Sequence, residues 1–135
     1  MLHTHSIVVS TLDMDRISSL MDKMPKLSPE LLRLEDELDR ATIKEPQEIP
    51  PGVVSMNSTV RFKFQGKDEI MEKHLVYPHE VKSNDDISIF APVGSALLGL
   101  SAGQTLSWPM PGGSEKVIEI IEVTYQPERE GRYDL

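Results

Sequence analysis

The sequence predicts an α+β protein: a short antiparallel helical hairpin followed by an antiparallel β domain with one short helix. Apolar residues recur at helical spacing in two stretches before residue 42. A Pro-rich break follows, Glu45-Pro46-Gln47-Glu48-Ile49-Pro50-Pro51-Gly52. Beyond it, apolar and polar residues alternate with the period of a strand. The expected division is residues 1–45 for a lead-in and hairpin, and 46–135 for the β domain.

Residues 6–9, Ser-Ile-Val-Val, read as a short extended lead-in. Met14, Ile17, Met21 and Met24 then fall three, four and three apart, the seam spacing of a packed helix. Thr11 is the expected N-cap, with Asp13 and Asp15 in the first turn, where the helix dipole favours anions. Pro25 ends the run. Ser28 followed by Pro29 predicts the start of a second helix, with Glu30 in its first turn. Leu31, Leu34, Leu38 and Ala41 repeat the seam, and Arg33–Glu37 and Asp36–Arg40 form i,i+4 pairs expected on an exposed side. Helices of about twelve and fourteen residues give a hairpin about 18–21 Å long. A hairpin of that length must lean on the rest of the chain.

In the β domain, Val60, Phe62 and Phe64 alternate with Arg61 and Lys63, and Gly66-Lys67 marks a turn. Glu69 to Tyr77 reads as the next strand. A Ser83-Asn84-Asp85-Asp86 loop precedes a short strand at Ile87–Phe90 and one or two helical turns within Gly94–Leu100. Strands at Thr105–Trp108 and Val117–Tyr125, turning through Pro111-Gly112-Gly113, complete about five antiparallel strands.

Composition narrows the function. The net charge is −8, from 14 basic and 22 acidic residues. Direct nucleic-acid binding relies on basic side chains neutralising phosphates, so it is not expected, whereas a partner with a basic surface suits this chain. The absence of cysteine removes disulfides, thiol nucleophiles and Cys-bound zinc. No apolar run approaches the ~18 residues of a membrane helix, and the N-terminus lacks a signal-peptide layout, so a cytoplasmic protein is expected. His3 and His5, or His74 and His79 with Glu80, have loosely ligand-like spacing but read as surface histidines. Asn57-Ser58-Thr59 matches a glycosylation acceptor without a secretory context. No Gly-x-Ser-x-Gly elbow or phosphate-cradling Gly loop occurs. The expectation is no catalytic residues, no metal and no cofactor.

The stretch Ile87–Leu100, followed by Gly103 and Pro111-Gly112-Gly113, resembles the C-terminal domain of the Gre transcript-cleavage factors, which has an FKBP-like fold. More specifically, Glu37–Ala41, Val54–Ser58, Leu75–Pro78, Ala91–Leu100 and Tyr125–Glu128 resemble the regulator of nucleoside diphosphate kinase (Rnk) family. The resemblance covers nearly the whole chain after about residue 11. It implies a bacterial protein, monomeric in our expectation, that binds core RNA polymerase at the secondary-channel rim. Phe90, Ala91, Pro92, Val93, Gly94 and Ser95 are the implied rim contacts. Asp22, Lys23, Lys26 and Glu30 form the hairpin tip.

Gre factors carry an Asp-x-x-Glu pair at the tip of a long coiled coil, and paired carboxylates suit a catalytic magnesium. No such pair occurs here: Lys23 and Lys26 offset Asp22 and Glu30, while Asp36-x-x-Asp39 lies mid-helix. The short hairpin departs from the pattern too. The expected function is therefore a non-catalytic polymerase regulator that competes with Gre-type factors. Two alternatives are an active cleavage factor and an FKBP-like prolyl isomerase or chaperone-like module, with Trp108, Phe90 and Tyr77 lining a proline pocket.

Overall fold

The structure, a computed structural model, describes residues 7–109 and 115–133. The hairpin consists of α1 (Thr11–Asp22) and α2 (Pro29–Asp39), flanked by two short strands, β1 (Val8–Ser10) and β2 (Thr42–Lys44). The N-cap of α1 is Ser10, not Thr11: Ser10 has extended backbone, and its Oγ accepts the Asp13 N–H at 3.0 Å. Ser28 caps α2 as expected, with Pro29 at the first helical position. α2 has 11 residues, fewer than its seam suggested. It stops because Thr42 and Ile43, both β-branched, are extended and pair in parallel with Val8 and Val9. The arm is thus roughly 16–18 Å long.

Five further strands form a sheet in the order β5-β4-β3-β7-β6: β3 (Thr59–Phe64), β4 (Met71–Val76), β5 (Asp86–Ser88), β6 (Thr105–Pro109) and β7 (Glu115–Tyr125). The sheet is mixed, which corrects the all-antiparallel expectation. β5 runs parallel to β4, with His74, Leu75 and Val76 opposite Asp86, Ile87 and Ser88. The reversal needed for an antiparallel pair is lost because the chain crosses back through a 3-10 turn at Pro78–Glu80 and an exposed loop. Pro111-Gly112-Gly113, His3 and His5 lie outside the described residues.

A third helix, α3 (Pro92–Leu97), packs against α2, β5 and β6. One apolar core unites the hairpin seam (Ile17, Met21, Leu31, Leu34, Leu38) with sheet and α3 residues such as Phe62, Leu75, Ile118, Ile120 and Leu97. Met14 and Met24 pack only partly buried against it. Trp108 is enclosed in this core, and the Arg33 guanidinium lies 5.2 Å from its ring centroid. The Arg33–Glu37 and Asp36–Arg40 pairs both form, at 3.6 and 2.6 Å. Glu37 is buried rather than exposed, however, and also takes Arg40 at 3.0 Å.

Candidate functional site

The expected rim contacts form a corner where β5 gives way to α3. Ser88 shapes it: its Oγ accepts the Phe90 N–H at 3.0 Å and its carbonyl accepts the Ala91 N–H at 3.0 Å. Pro92 is the first residue of α3, where its missing N–H costs no bond and its fixed φ suits the helix. The helix therefore starts two residues earlier than its sequence suggested. Gly94 passes so near β5 that a Cβ there would overlap the Ser88 carbonyl oxygen. Ser95 donates from Oγ to the Ile89 carbonyl at 2.6 Å. Gly94 and Ser95 are buried and hold the corner from within, whereas Phe90, Ala91, Pro92 and Val93 keep part of their surface in solvent. Phe90 and Val93 also pack on the core, so Phe90 is at once a core residue and partly exposed.

At the arm's far end, Asp22, Lys23 and Lys26 are exposed. Glu30 belongs to the first turn of α2, and its side chain lies outside the described set. Asp36 is occupied by Arg40. Among the described residues, no group of three or more His, Asp or Glu side chains could hold a metal ion. His74 is half-buried and its Nδ1 lies 3.3 Å from Thr59 Oγ1, while the exposed His79 ring stacks on Tyr77. No described helix is long and apolar enough to cross a membrane.

A third region escaped the sequence reading. The turn at Val54–Ser58 is a hub for several other segments. Val54 exchanges backbone hydrogen bonds with Gly99 and Leu100, each at 2.8 Å. The Asn57 N–H donates to the Leu75 carbonyl at 2.7 Å, and the Ser58 carbonyl accepts the Leu75 N–H at 2.9 Å. Ser55 donates from Oγ to Glu128 Oε1 at 2.6 Å, and the Met56 N–H donates to Asp13 Oδ2 at 3.1 Å. Gln126, fully buried, donates from Nε2 to the Pro50 and Val53 carbonyls. Four of the five segments on which the family resemblance rests are thus joined by hydrogen bonds at one place.

Asp13 reverses its expected role there. The helix dipole favours its anion, but burial dominates and, with a smaller contribution from Glu128, raises its carboxyl to about 7. The Met56 N–H, Arg16 and Ser10 act in the opposite direction. Burial, with Asp13 next, also pushes the Tyr77 hydroxyl above its ordinary value. The signal for this site was the polar run Ser55, Asn57, Ser58 set inside apolar sequence, which only a buried partner could explain.

Beside the junction, a groove of about 600 Å³ runs between α1 and the turn after β4. Asp15, Arg16, Ser19, Asn57, Tyr77 and His79 line it, so both signs of charge meet one aromatic face. Of the three aromatics considered for a proline pocket, Tyr77 borders this groove, whereas Trp108 is sealed in the core and Phe90 lies at the α3 corner.

Comparison with known proteins accords with this architecture. Residues 5–43 match the family described as Rnk N-terminus, and residues 49–125 match transcription elongation factor, GreA/GreB, C-term. The chain is 41% identical over 130 residues to the regulator of nucleoside diphosphate kinase of Escherichia coli (strain K12), covering 95% of this chain and 96% of that one. It is 36% identical over 94 residues to transcription elongation factor GreA of Clostridium novyi, but spans only 58% of that factor. Among solved structures, a prokaryotic transcription elongation factor GreA/GreB from Nitrosomonas europaea superposes with a TM-score of 0.73 at 46% identity, over 90% of this chain and all of that one. With a Rnk-type arm joined to a Gre-type body along one core, the chain belongs to the regulator of nucleoside diphosphate kinase (Rnk) family.

Proposed function

We propose that this protein binds RNA polymerase at the rim of its secondary channel and regulates transcription by competing with Gre-type factors, without stimulating transcript cleavage. The observation that carries this reading is a Gre-type C-terminal domain joined to an arm of only 12 and 11 helical residues. In this reading the body, residues 46–135, grips the rim through the partly exposed surface of Phe90, Ala91, Pro92 and Val93. The arm, residues 1–45, occupies the channel mouth with Asp22, Lys23, Lys26 and Glu30. In this reading cleavage is not expected, because a divalent cation needs concentrated negative charge and the tip's acids alternate with lysines. The net charge of −8 suits a basic patch on the partner.

The test is retention of this protein on immobilised core polymerase with and without saturating Gre factor. Displacement by the Gre factor is the expected result, and retention unchanged at saturation excludes a shared site. A backtracked-complex assay should show no cleavage above the polymerase's own rate.

A further inference from the structure

The contact between α1 and the sheet domain encloses a carboxyl group that the proposed docking surfaces leave unused. Asp13 is 1% exposed; its Oδ2 accepts the Met56 N–H, and its Oδ1 is buried without a hydrogen-bond partner among the described residues. Several ionisable groups face it. Glu128, from the C-terminal turn, is 8% exposed and clamped by the Ser55 hydroxyl. Arg16 lies one turn further along α1, and Tyr77 lies at the end of β4 with Glu80 behind it. An ionised Asp13 exchanges its water shell for one backbone donor, with Arg16 and Ser10 only partly offsetting the loss, beside a second acidic side chain. A neutral carboxyl avoids both penalties.

We infer that Asp13 is a proton-operated latch between the helical hairpin and the sheet domain. Protonated, it holds the start of α1 closed on the Met56 turn. Ionised, it loosens that contact and lets the base of the hairpin open locally.

The direction follows from linkage. Burial first, and Glu128 after it, raise the folded carboxyl to about 7 from the ordinary 3.8. Below about 4 both closed and open forms keep the proton, so pH has no leverage. Between about 4 and 7 the open form ionises while the closed form does not, so opening becomes easier as pH rises. Above about 7 both are ionised and the effect levels off. The latch therefore tightens on acidification across the near-neutral range, whatever the hairpin binds.

The test uses the full chain. Hydrogen exchange at the Met56 amide and along α1, normalised to the intrinsic rate at each pH and referred to the Phe62 amide in β3, should show protection falling at least about ten-fold from pH 5 to pH 8. Asp13→Asn keeps an oxygen to accept the Met56 N–H and should abolish that fall. A second measurement leaves residue 13 intact. The Asp13 side-chain carboxyl carbon, followed by NMR, should titrate near 7 in the wild type and move downward in Glu128→Gln. Wild-type protection that does not change with pH, or an Asp13 midpoint near 4, overturns the latch.

Discussion

The α3 corner and the Val54–Ser58 turn both fasten the hairpin to the sheet, but by opposite means. At the corner the fastening is apolar and close. Leu97 is fully buried, Gly94 lets α3 ride on the Ser88 carbonyl, and Gly99 takes a left-handed φ of +82°, where an added Cβ would lie 2.5 Å from Ile7 Cβ. At the turn the fastening is polar, with two carboxyl groups buried and each held by one neighbouring donor. Packing of the first kind tolerates no change of volume and is indifferent to pH. Hydrogen bonds of the second kind contribute less net stability but respond to protons. One region fixes the hairpin's position, and the other can adjust how firmly it is held.

Four substitutions break or sharpen this contrast. Leu97→Ala should have the largest effect, about 3 kcal/mol, as a buried side chain is replaced by a cavity; the urea midpoint at constant m-value measures it. Gly94→Ala should follow at roughly 2–3 kcal/mol, because the new methyl must displace backbone rather than a flexible side chain. Ser55→Ala removes the donor to Glu128 and should cost about 1–2 kcal/mol. If Ser55→Ala proves as damaging as Gly94→Ala, the distinction between a fixed corner and an adjustable turn collapses. Pro92→Asp should change stability least, by under about 1 kcal/mol, since an acidic residue suits the first turn of a helix. It should nevertheless weaken polymerase retention about ten-fold, a separation that only an outward-facing role produces. Equal losses of folding and binding would instead assign Pro92 to the scaffold.

Much of this fold is legible in the sequence because local chemistry and tertiary packing agree. The Ile17–Met21 and Leu31–Leu34–Leu38 seams are buried as their spacing requires, and Ser28-Pro29 starts α2. The alternation at Val60, Phe62 and Phe64 becomes β3. What escaped depends on partners distant in the chain. The extended lead-in at residues 6–9 becomes β1, but its parallel partner β2 is three residues long, too short for periodicity to register, and exists because it pairs with β1. The parallel direction of β5 follows from the crossover after Pro78, which carries no directional signal of its own. Gly94 and Ser95 read as rim contacts at the start of a short helix, yet both are buried, because α3 passes close over β5. Asp13 reads as a simple first-turn acid until Met56, 43 residues away, closes over it.

The pairing of β1 with β2 has a consequence for how such an arm can vary. Val8 opposite Thr42, Val9 opposite Ile43 and Ser10 opposite Lys44 clip the entry and exit of the hairpin side by side. Seven residues added to each helix would advance the tip by about 10 Å while leaving every one of those pairs in place. Arm length is therefore a dimension that insertion and deletion can tune independently of attachment, much as a probe is exchanged on a fixed mount.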